Sequence, residues 1–250
     1  MSPPPRILVI AGSDSSGGAG IQADIKTITM LGGYAMTAIT ALTAQNTHGV
    51  SAVEPVSPAM VTAQIDACVS DIGVDAIKIG MLGSAAVAQA VAAAVATLGV
   101  PLVFDPVIVA TSGAALADAE TIGAFERLMA LAMLTTPNIA ELDALGGDSA
   151  MQARGVTYLA KGGDAEGATV VDRLVRADGT TLSFEGSRIA TRHSHGTGCT
   201  LSSAIATYLG QGVPLEEAID RARGFVRSAL RAAPGFGAGA GPLGHAQARG

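Results

Sequence analysis

The chain has no tryptophan, three tyrosines, five phenylalanines and only two cysteines among its 250 residues. Two cysteines, Cys68 and Cys199, exclude a disulfide framework, and their spacing is not that of metal ligands. Charge is also scarce. Charged residues make up 14% of the chain, and acidic residues outnumber basic ones to give a formal net charge of −6. No global basic field is available to hold nucleic acid or an anionic membrane, so neither is expected as a partner. An anionic ligand would have to be held by local devices such as a helix N-terminus, a metal or a single lysine. The glycines, 32 in number, follow no collagen-like period. The apolar run at 7–11, behind a proline-rich lead, is too short for a signal-peptide core. The uncharged stretch 79–104 is broken by Gly99 and Pro101 and reads as a buried helix followed by a buried strand rather than a membrane span. A soluble, cytoplasmic protein is expected.

What is present is apolar and finely punctuated. Hydrophobic residues form 49% of the chain, and a domain of this length buries roughly 70–75% of its unfolded surface without a disulfide or structural metal. Short β-branched runs alternate with helical patterns. Strands are predicted at 6–11, 35–44, 76–79, 101–104, 133–136 and 155–160; helices at 21–31, 58–72, 84–98, 118–132, 138–145, 198–209 and 214–232. Residues 169–176 and 180–185, joined through Asp178-Gly179, predict an antiparallel hairpin at one sheet edge. The βαβ alternation implies an α/β fold, a mostly parallel doubly wound sheet with antiparallel edge strands. Residues 1–5 read as a flexible lead, 6–232 as a single domain, and the glycine- and alanine-rich segment 233–250 as a disordered tail.

Ligands of such sheets bind beyond the carboxyl ends of the strands. The first such loop, residues 12–20, holds Gly12-Ser13-Asp14-Ser15-Ser16-Gly17-Gly18-Ala19-Gly20; it is neither a dinucleotide fingerprint nor a P-loop, and reads equally as a turn or a binding loop. His195-Gly196-Thr197-Gly198-Cys199-Thr200 opens a helix, where amides and dipole favour negative charge. Cys199 at that start would have its thiolate favoured, or be an inert buried thiol. Asp105 stands at another strand end. Asn138 and Glu141, spaced i, i+3, suit hydrated Mg²⁺ or simply cap a helix. Lys161, before Gly162-Gly163, would neutralise phosphate or be solvated.

Taken together, these loops resemble one family. The segments 11–27, 40–50, 77–83, 105–109 with Ser112-Gly113, 136–141, 161–163 and 195–205 match, in order, the hydroxymethylpyrimidine/phosphomethylpyrimidine kinases of thiamine biosynthesis, within the ribokinase-like superfamily. The resemblance implies a three-layer αβα fold and ATP-dependent phosphorylation of 4-amino-5-hydroxymethyl-2-methylpyrimidine, followed by its monophosphate. It implies that Gln45 hydrogen-bonds the pyrimidine edge and that Gly12, Asp24 and Met81 line the same pocket. Gly196, Thr197, Gly198 and Cys199 would form the anion hole, with Cys199 as base or hydroxyl-positioning group. Asp105, Asn138 and Glu141 would support Mg²⁺ and the phosphates, and Lys161 would lie near ATP. A homodimer is expected. Two departures stand out: Thr111 where the family often has lysine, and a short connection over 142–160. A pyridoxal or pyridoxine kinase is the alternative reading, and a non-catalytic pyrimidine-binding protein the next.

Overall fold

The computed structural model describes residues 3–108 and 116–248. The sequence features Val109, Thr111, Ser112 and Gly113 lie outside the described residues. Strand β1 (Arg6–Asp14) shows how the pattern builds the fold. Successive side chains of a strand point to opposite faces. Leu8 and Ile10 enter one core, while Ile7, Val9 and Ala11 enter the other. A strand that is apolar on both faces needs helices on both. The same division continues in β4 (Ala76–Ile79) and β5 (Leu102–Phe104), where Ile77, Ile79, Leu102 and Phe104 share the first core and Ala76 and Val103 the second.

The remaining strands are β2 (Tyr34–Asn46), β3 (Gly49–Pro55), β6 (Leu134–Thr135), β7 (Tyr158–Ala160), β8 (Thr169–Val175) and β9 (Thr181–Ser187). They form one sheet in the order β3-β2-β1-β4-β5-β6-β7-β8-β9. From β2 to β7 neighbours are parallel; β8 and β9 extend one edge antiparallel, as the hairpin pattern predicts. The other edge also carries an antiparallel strand, β3 against β2. That strand escapes sequence reading because most of it is solvent-exposed and shows no buried period.

Helices α2 (Pro58–Asp71), α3 (Ala85–Val95) and α4 (Ala119–Leu131) cover the first face; α1 (Gly20–Met30), α7 (Thr197–Gly210) and α8 (Leu215–Arg231) cover the second. Ser57, Ser84 and Asp118 cap α2, α3 and α4 by accepting from Met60 N, Val87 N and Thr121 N. The short 142–160 connection holds two small helices, α5 (Ile139–Ala144) and α6 (Gly147–Ala153), anchored by buried Leu145 and Met151. Among the described residues no helix is long and apolar enough to cross a membrane.

The tail contradicts its composition. Rather than being disordered, the segment runs exposed over 234–238 and then settles on the second core over 241–248, with Leu243, His245 and Ala248 buried. The His245 ring Nε2 lies 2.9 Å from Thr200 Oγ1 on α7. Ala240 N donates to Thr47 O at 3.0 Å, and His195 N to Gly241 O at 3.1 Å. Glycine is required here by contact rather than flexibility: a Cβ on Gly239 would stand 2.1 Å from Thr47 O. Composition cannot distinguish a glycine run that is loose from one that lets two backbones meet.

Burial, with Lys26 nearby, pushes His245 from its ordinary 6.5 down to about 4. The folded state therefore favours neutral His245, and its stabilising contribution is complete above pH 6.5 and lost as the pH falls toward 4. Thermal unfolding should show stability falling between these limits, with a slope from this one proton of at most about 1.4 kcal/mol per pH unit. His245→Gln should flatten the upper part of that fall. An unchanged pH dependence in the variant would show that other groups set it.

Candidate active site

The carboxyl ends of β1, β2, β4, β5, β6 and β7 open on a cavity of about 680 Å³. Every candidate site residue read from the sequence lines it except Asp24. At one end stand Gln45, Gly12 and Met81. Gly12 is tightly covered, since a Cβ there would lie 2.4 Å from Met81 Cε. At the other end stand Asp105, Asn138, Glu141 and Lys161, and the start of α7 contributes Gly196, Thr197, Gly198 and Cys199.

Gly196 precedes α7 in the left-handed region, at φ 88°, and a Cβ there would lie 1.9 Å from Gly18 O. The two glycine-rich loops therefore touch backbone to backbone. Asp14 and His195, which sequence reading passed over, hold that contact. Asp14 Oδ1 accepts from Ser16 N and Ser16 Oγ, and Oδ2 accepts from Gly18 N at 3.1 Å and Ala19 N at 2.8 Å. Burial alone would raise its pKa, but the hydrogen bonds from His195, Ser16 and Ala19 outweigh it and hold the carboxyl well below the usual range. The available signal was an aspartate within a Ser/Gly-rich turn, which often folds a loop around itself.

Asp24 does not line the cavity; it is fully buried beneath it. Strand alternation puts Lys78 on the α1/α7 face of β4, where its Nζ meets Asp24 of α1 at 2.9 Å and 3.0 Å, and Ser203 of α7 donates to the same carboxylate. Lys78, not Asp24, reaches the cavity wall. Sequence reading places Lys78 in a short strand over 76–79 and gives it no role; only the fold supplies its partner. Burial works against the Lys78 charge, and the carboxylate of Asp24 more than restores it.

On the other side, Lys161 Nζ donates to Asp105 Oδ1 at 2.8 Å and stands 3.7 Å from Glu141 Oε2. Burial disfavours the ammonium, and Asp105 and Glu141 hold it charged. The same Asp105 oxygen accepts from Thr136 Oγ1. Lys161 is therefore paired rather than freely solvated. Asn138 and Glu141 form a reciprocal capping box on α5: Glu141 N donates to Asn138 Oδ1, and Asn138 N to Glu141 Oε2, both at 2.8 Å. Capping and lining the cavity are combined in the same two residues. Oxygens of this kind are the hard donors that Mg²⁺ takes; Asp105 and Glu141 each keep one carboxylate oxygen outside the ion pair and the cap, whereas the one side-chain oxygen of Asn138 is the cap acceptor. Among the described residues no three acidic, histidine or cysteine side chains converge on a ready-made metal position.

Of the two readings left open for Cys199, its surroundings favour the neutral thiol. Burial, reinforced by Asp24 and Asp105 against the opposing charge of Lys78, pushes its thiol up to about 11. Desolvation outweighs the helix start, and Cys199 is a neutral thiol near pH 7.

With this geometry in hand, the comparisons with known proteins are direct. A family profile described as phosphomethylpyrimidine kinase matches residues 14–244. The chain belongs to the phosphomethylpyrimidine kinase family. It is 46% identical to a hydroxymethylpyrimidine/phosphomethylpyrimidine kinase of Rhizobium meliloti, over 95% of this chain and 96% of that one. It is 45% identical to a thiamine biosynthesis bifunctional protein of Geobacter sulfurreducens over 98% of this chain, and spans 53% of that longer relative. Among solved structures, pyridoxal kinase of Bacillus subtilis in complex with ADP superposes with a TM-score of 0.89 at 33% identity, covering 97% of this chain and 98% of that chain. Phosphomethylpyrimidine kinase of Clostridium difficile superposes with a TM-score of 0.76 at 36% identity, covering 90% and 99%. The fold is the ribokinase-like αβα sandwich of this family, and the chain is a kinase.

Native protein with Cys68 replaced by alanine should alkylate at Cys199 roughly a hundredfold more slowly than a free cysteine at pH 7.5, since two pKa units separate about 11 from the ordinary 9.0. Peptide mapping after timed iodoacetamide exposure measures this. Labelling as fast as that of a free thiol would place a thiolate at the helix start.

Proposed function

We propose that the protein transfers the γ-phosphoryl group of ATP to the hydroxymethyl oxygen of 4-amino-5-hydroxymethyl-2-methylpyrimidine, and then to the monophosphate so formed, in the cytoplasm. The observation that carries the reading is a single cavity with Gln45 and Met81 at one end, the α7 start in its wall, and Asp105, Lys161, Asn138 and Glu141 at the other. Gln45 offers both a donor and an acceptor to an aminopyrimidine, which a carboxylate cannot. The amides following Gly196 face charge that develops on the transferring group. Phosphoryl transfer has a loose transition state, so positioning and charge stabilisation supply most of the catalysis. A neutral Cys199 thiol fits that demand as a group that orients the substrate hydroxyl; at a pKa of about 11 it is not a standing base.

Asp105, Glu141 and Asn138 would hold Mg²⁺ largely through water. The ion would neutralise phosphate charge that a protein of net charge −6 otherwise repels. ATP use is supported by the family and by a Staphylococcus aureus pyridoxal kinase, similar in structure, solved with the ATP analogue AMP-PCP and pyridoxal. A homodimer belongs to the same proposal: Leu42, Val53 and Met60, on β2, β3 and α2, are exposed apolar side chains that a second copy would cover.

A second reading is favoured by one observation: the superposition is better on pyridoxal kinase (0.89) than on phosphomethylpyrimidine kinase (0.76). ATP consumption by the purified protein with the pyrimidine alcohol and with pyridoxal separates the two readings. Higher kcat/KM on the pyrimidine is expected. Preference for pyridoxal reverses the assignment, and tight pyrimidine binding without turnover makes the protein a binder.

Glu141→Gln keeps a group able to cap α5 but removes charge beside the phosphates. It should raise the Mg²⁺ needed for half-maximal rate and depress kcat. If Glu141 serves only the cap and helix dipole, the change should instead cost about 0.3–1 kcal/mol of stability and leave the Mg²⁺ curve in place. Rates across a Mg²⁺ series, beside thermal unfolding, decide between these.

A further inference from the structure

Gln45 sits between two fixed partners. Its side-chain nitrogen stands 3.3 Å from His195 Nε2, and its side-chain oxygen 3.2 Å from Thr43 Oγ1. Each partner is already engaged. His195 is 4% exposed, and its Nε2 lies 2.8 Å from Asp14 Oδ2. An ionised carboxylate only accepts hydrogen bonds, so His195 Nε2 must carry a hydrogen directed at Asp14. The low pKa of Asp14 keeps it ionised at any ordinary pH. Thr43 has one hydroxyl hydrogen, and Ser13 O takes it at 2.9 Å. With its one hydrogen directed at Asp14, His195 Nε2 has no lone pair left to accept from Gln45 and presents only the positive edge of that N–H, while the free lone pair of Thr43 is an acceptor. An amide with nitrogen toward His195 sets N–H against N–H and oxygen against oxygen. Turned over by 180°, the same carboxamide donates to Thr43 and brings its oxygen to the His195 N–H, sharing that hydrogen with Asp14 in a three-centre contact, and both clashes are removed.

We infer that Asp14, His195 and Thr43 set the polarity of the Gln45 carboxamide, with its oxygen on the His195 side and its nitrogen on the Thr43 side, and thereby determine which order of donor and acceptor the site reads on a substrate ring edge. This rests on the reading of Gln45 as the group that meets the pyrimidine. The remaining lone pair of Gln45 then accepts from an exocyclic amino group, and its remaining N–H donates to the neighbouring ring nitrogen. A ring with a carbonyl and a ring N–H in those places presents the reversed order, and the anchored amide opposes it. His195 and Thr43 are positioning residues here: they act on the substrate through Gln45. His195 suits the role because it is itself immobile. A Cβ on Gly18 would lie 2.3 Å from its ring, and its backbone is bound to Gly241.

The test is calorimetric binding of 4-amino-5-hydroxymethyl-2-methylpyrimidine and of its 4-oxo analogue, each beside ATP. The unaltered protein should prefer the amino compound by at least about tenfold. In His195→Leu only Thr43 still sets the carboxamide, so the preference should narrow while ATP affinity holds. His195→Gln, which can still donate to Asp14, should keep most of the preference. Thr43→Val conserves shape, and should narrow the ratio even if His195→Leu fails to fold. A ratio that stays at the starting value in both Thr43→Val and a folded His195→Leu overturns the orienting role. Gln45→Ala separates that failure from failure of the underlying assignment: it should lose pyrimidine affinity and the preference together. A Gln45→Ala protein that binds both compounds as before removes Gln45 from the substrate site, and this inference with it.

Discussion

The ion pair between Lys78 and Asp24 lies at the centre of the molecule with both side chains fully buried. An ion pair removed from water is neutral to stability at best, but removing one partner leaves an uncompensated charge that costs about 3–5 kcal/mol. Lys78 belongs to the central strand β4, Asp24 to α1, and Ser203, which donates to the same carboxylate, to α7. The pair thus fastens two of the three helices of the second layer, α1 and α7, to the sheet. The α7 start, with its left-handed Gly196, can press against the backbone of the first glycine loop only if that helix is held in register. The contact between the two glycine-rich loops is a consequence of this fastening.

Charges in the cavity floor are arranged as matched neighbours. Lys78 answers Asp24, and Lys161 answers Asp105 with Glu141 at longer range. With each ammonium claimed by a carboxylate, little positive potential is left over to ionise Cys199, and burial decides its state. Lys161 is in this way already matched by its own carboxylate partners and carries no surplus charge into the cavity. A site so built stays satisfied before ATP arrives, which suits an acidic protein that must hold the empty cavity stable.

Around this floor, three chain segments distant in sequence meet at His195. The first loop arrives through Asp14, β2 through Gln45, and the tail through Gly241. The tail therefore does more than complete a core. By binding Thr47 as well as His195, it ties the turn after Gln45 to the loop before α7. The short 142–160 connection is accommodated in a comparable way. A left-handed Gly146 breaks the crossover into two small helices whose buried Leu145 and Met151 replace the packing of one longer helix.

Periodicity and punctuation in the sequence determined the alternating elements, the helix starts at Ser57, Ser84, Asp118 and Asn138, the strand ends where Gln45, Asp105 and Lys161 stand, and the helix start that holds Cys199, because these follow from local backbone preference and from which face of an element is apolar. Resemblance in the loops added the chemistry. Tertiary structure alone decided what depends on a partner far along the chain. It took Asp24 from the cavity and gave Lys78 in its place; it made Cys199 a thiol, because desolvation is set by everything packed around a group rather than by its position on a helix. It also ordered the tail and paired Asp14 with His195 across 181 residues of sequence. Charge state and hydrogen-bond polarity are properties of an environment, and the environment of a buried group is assembled from segments that no local pattern connects.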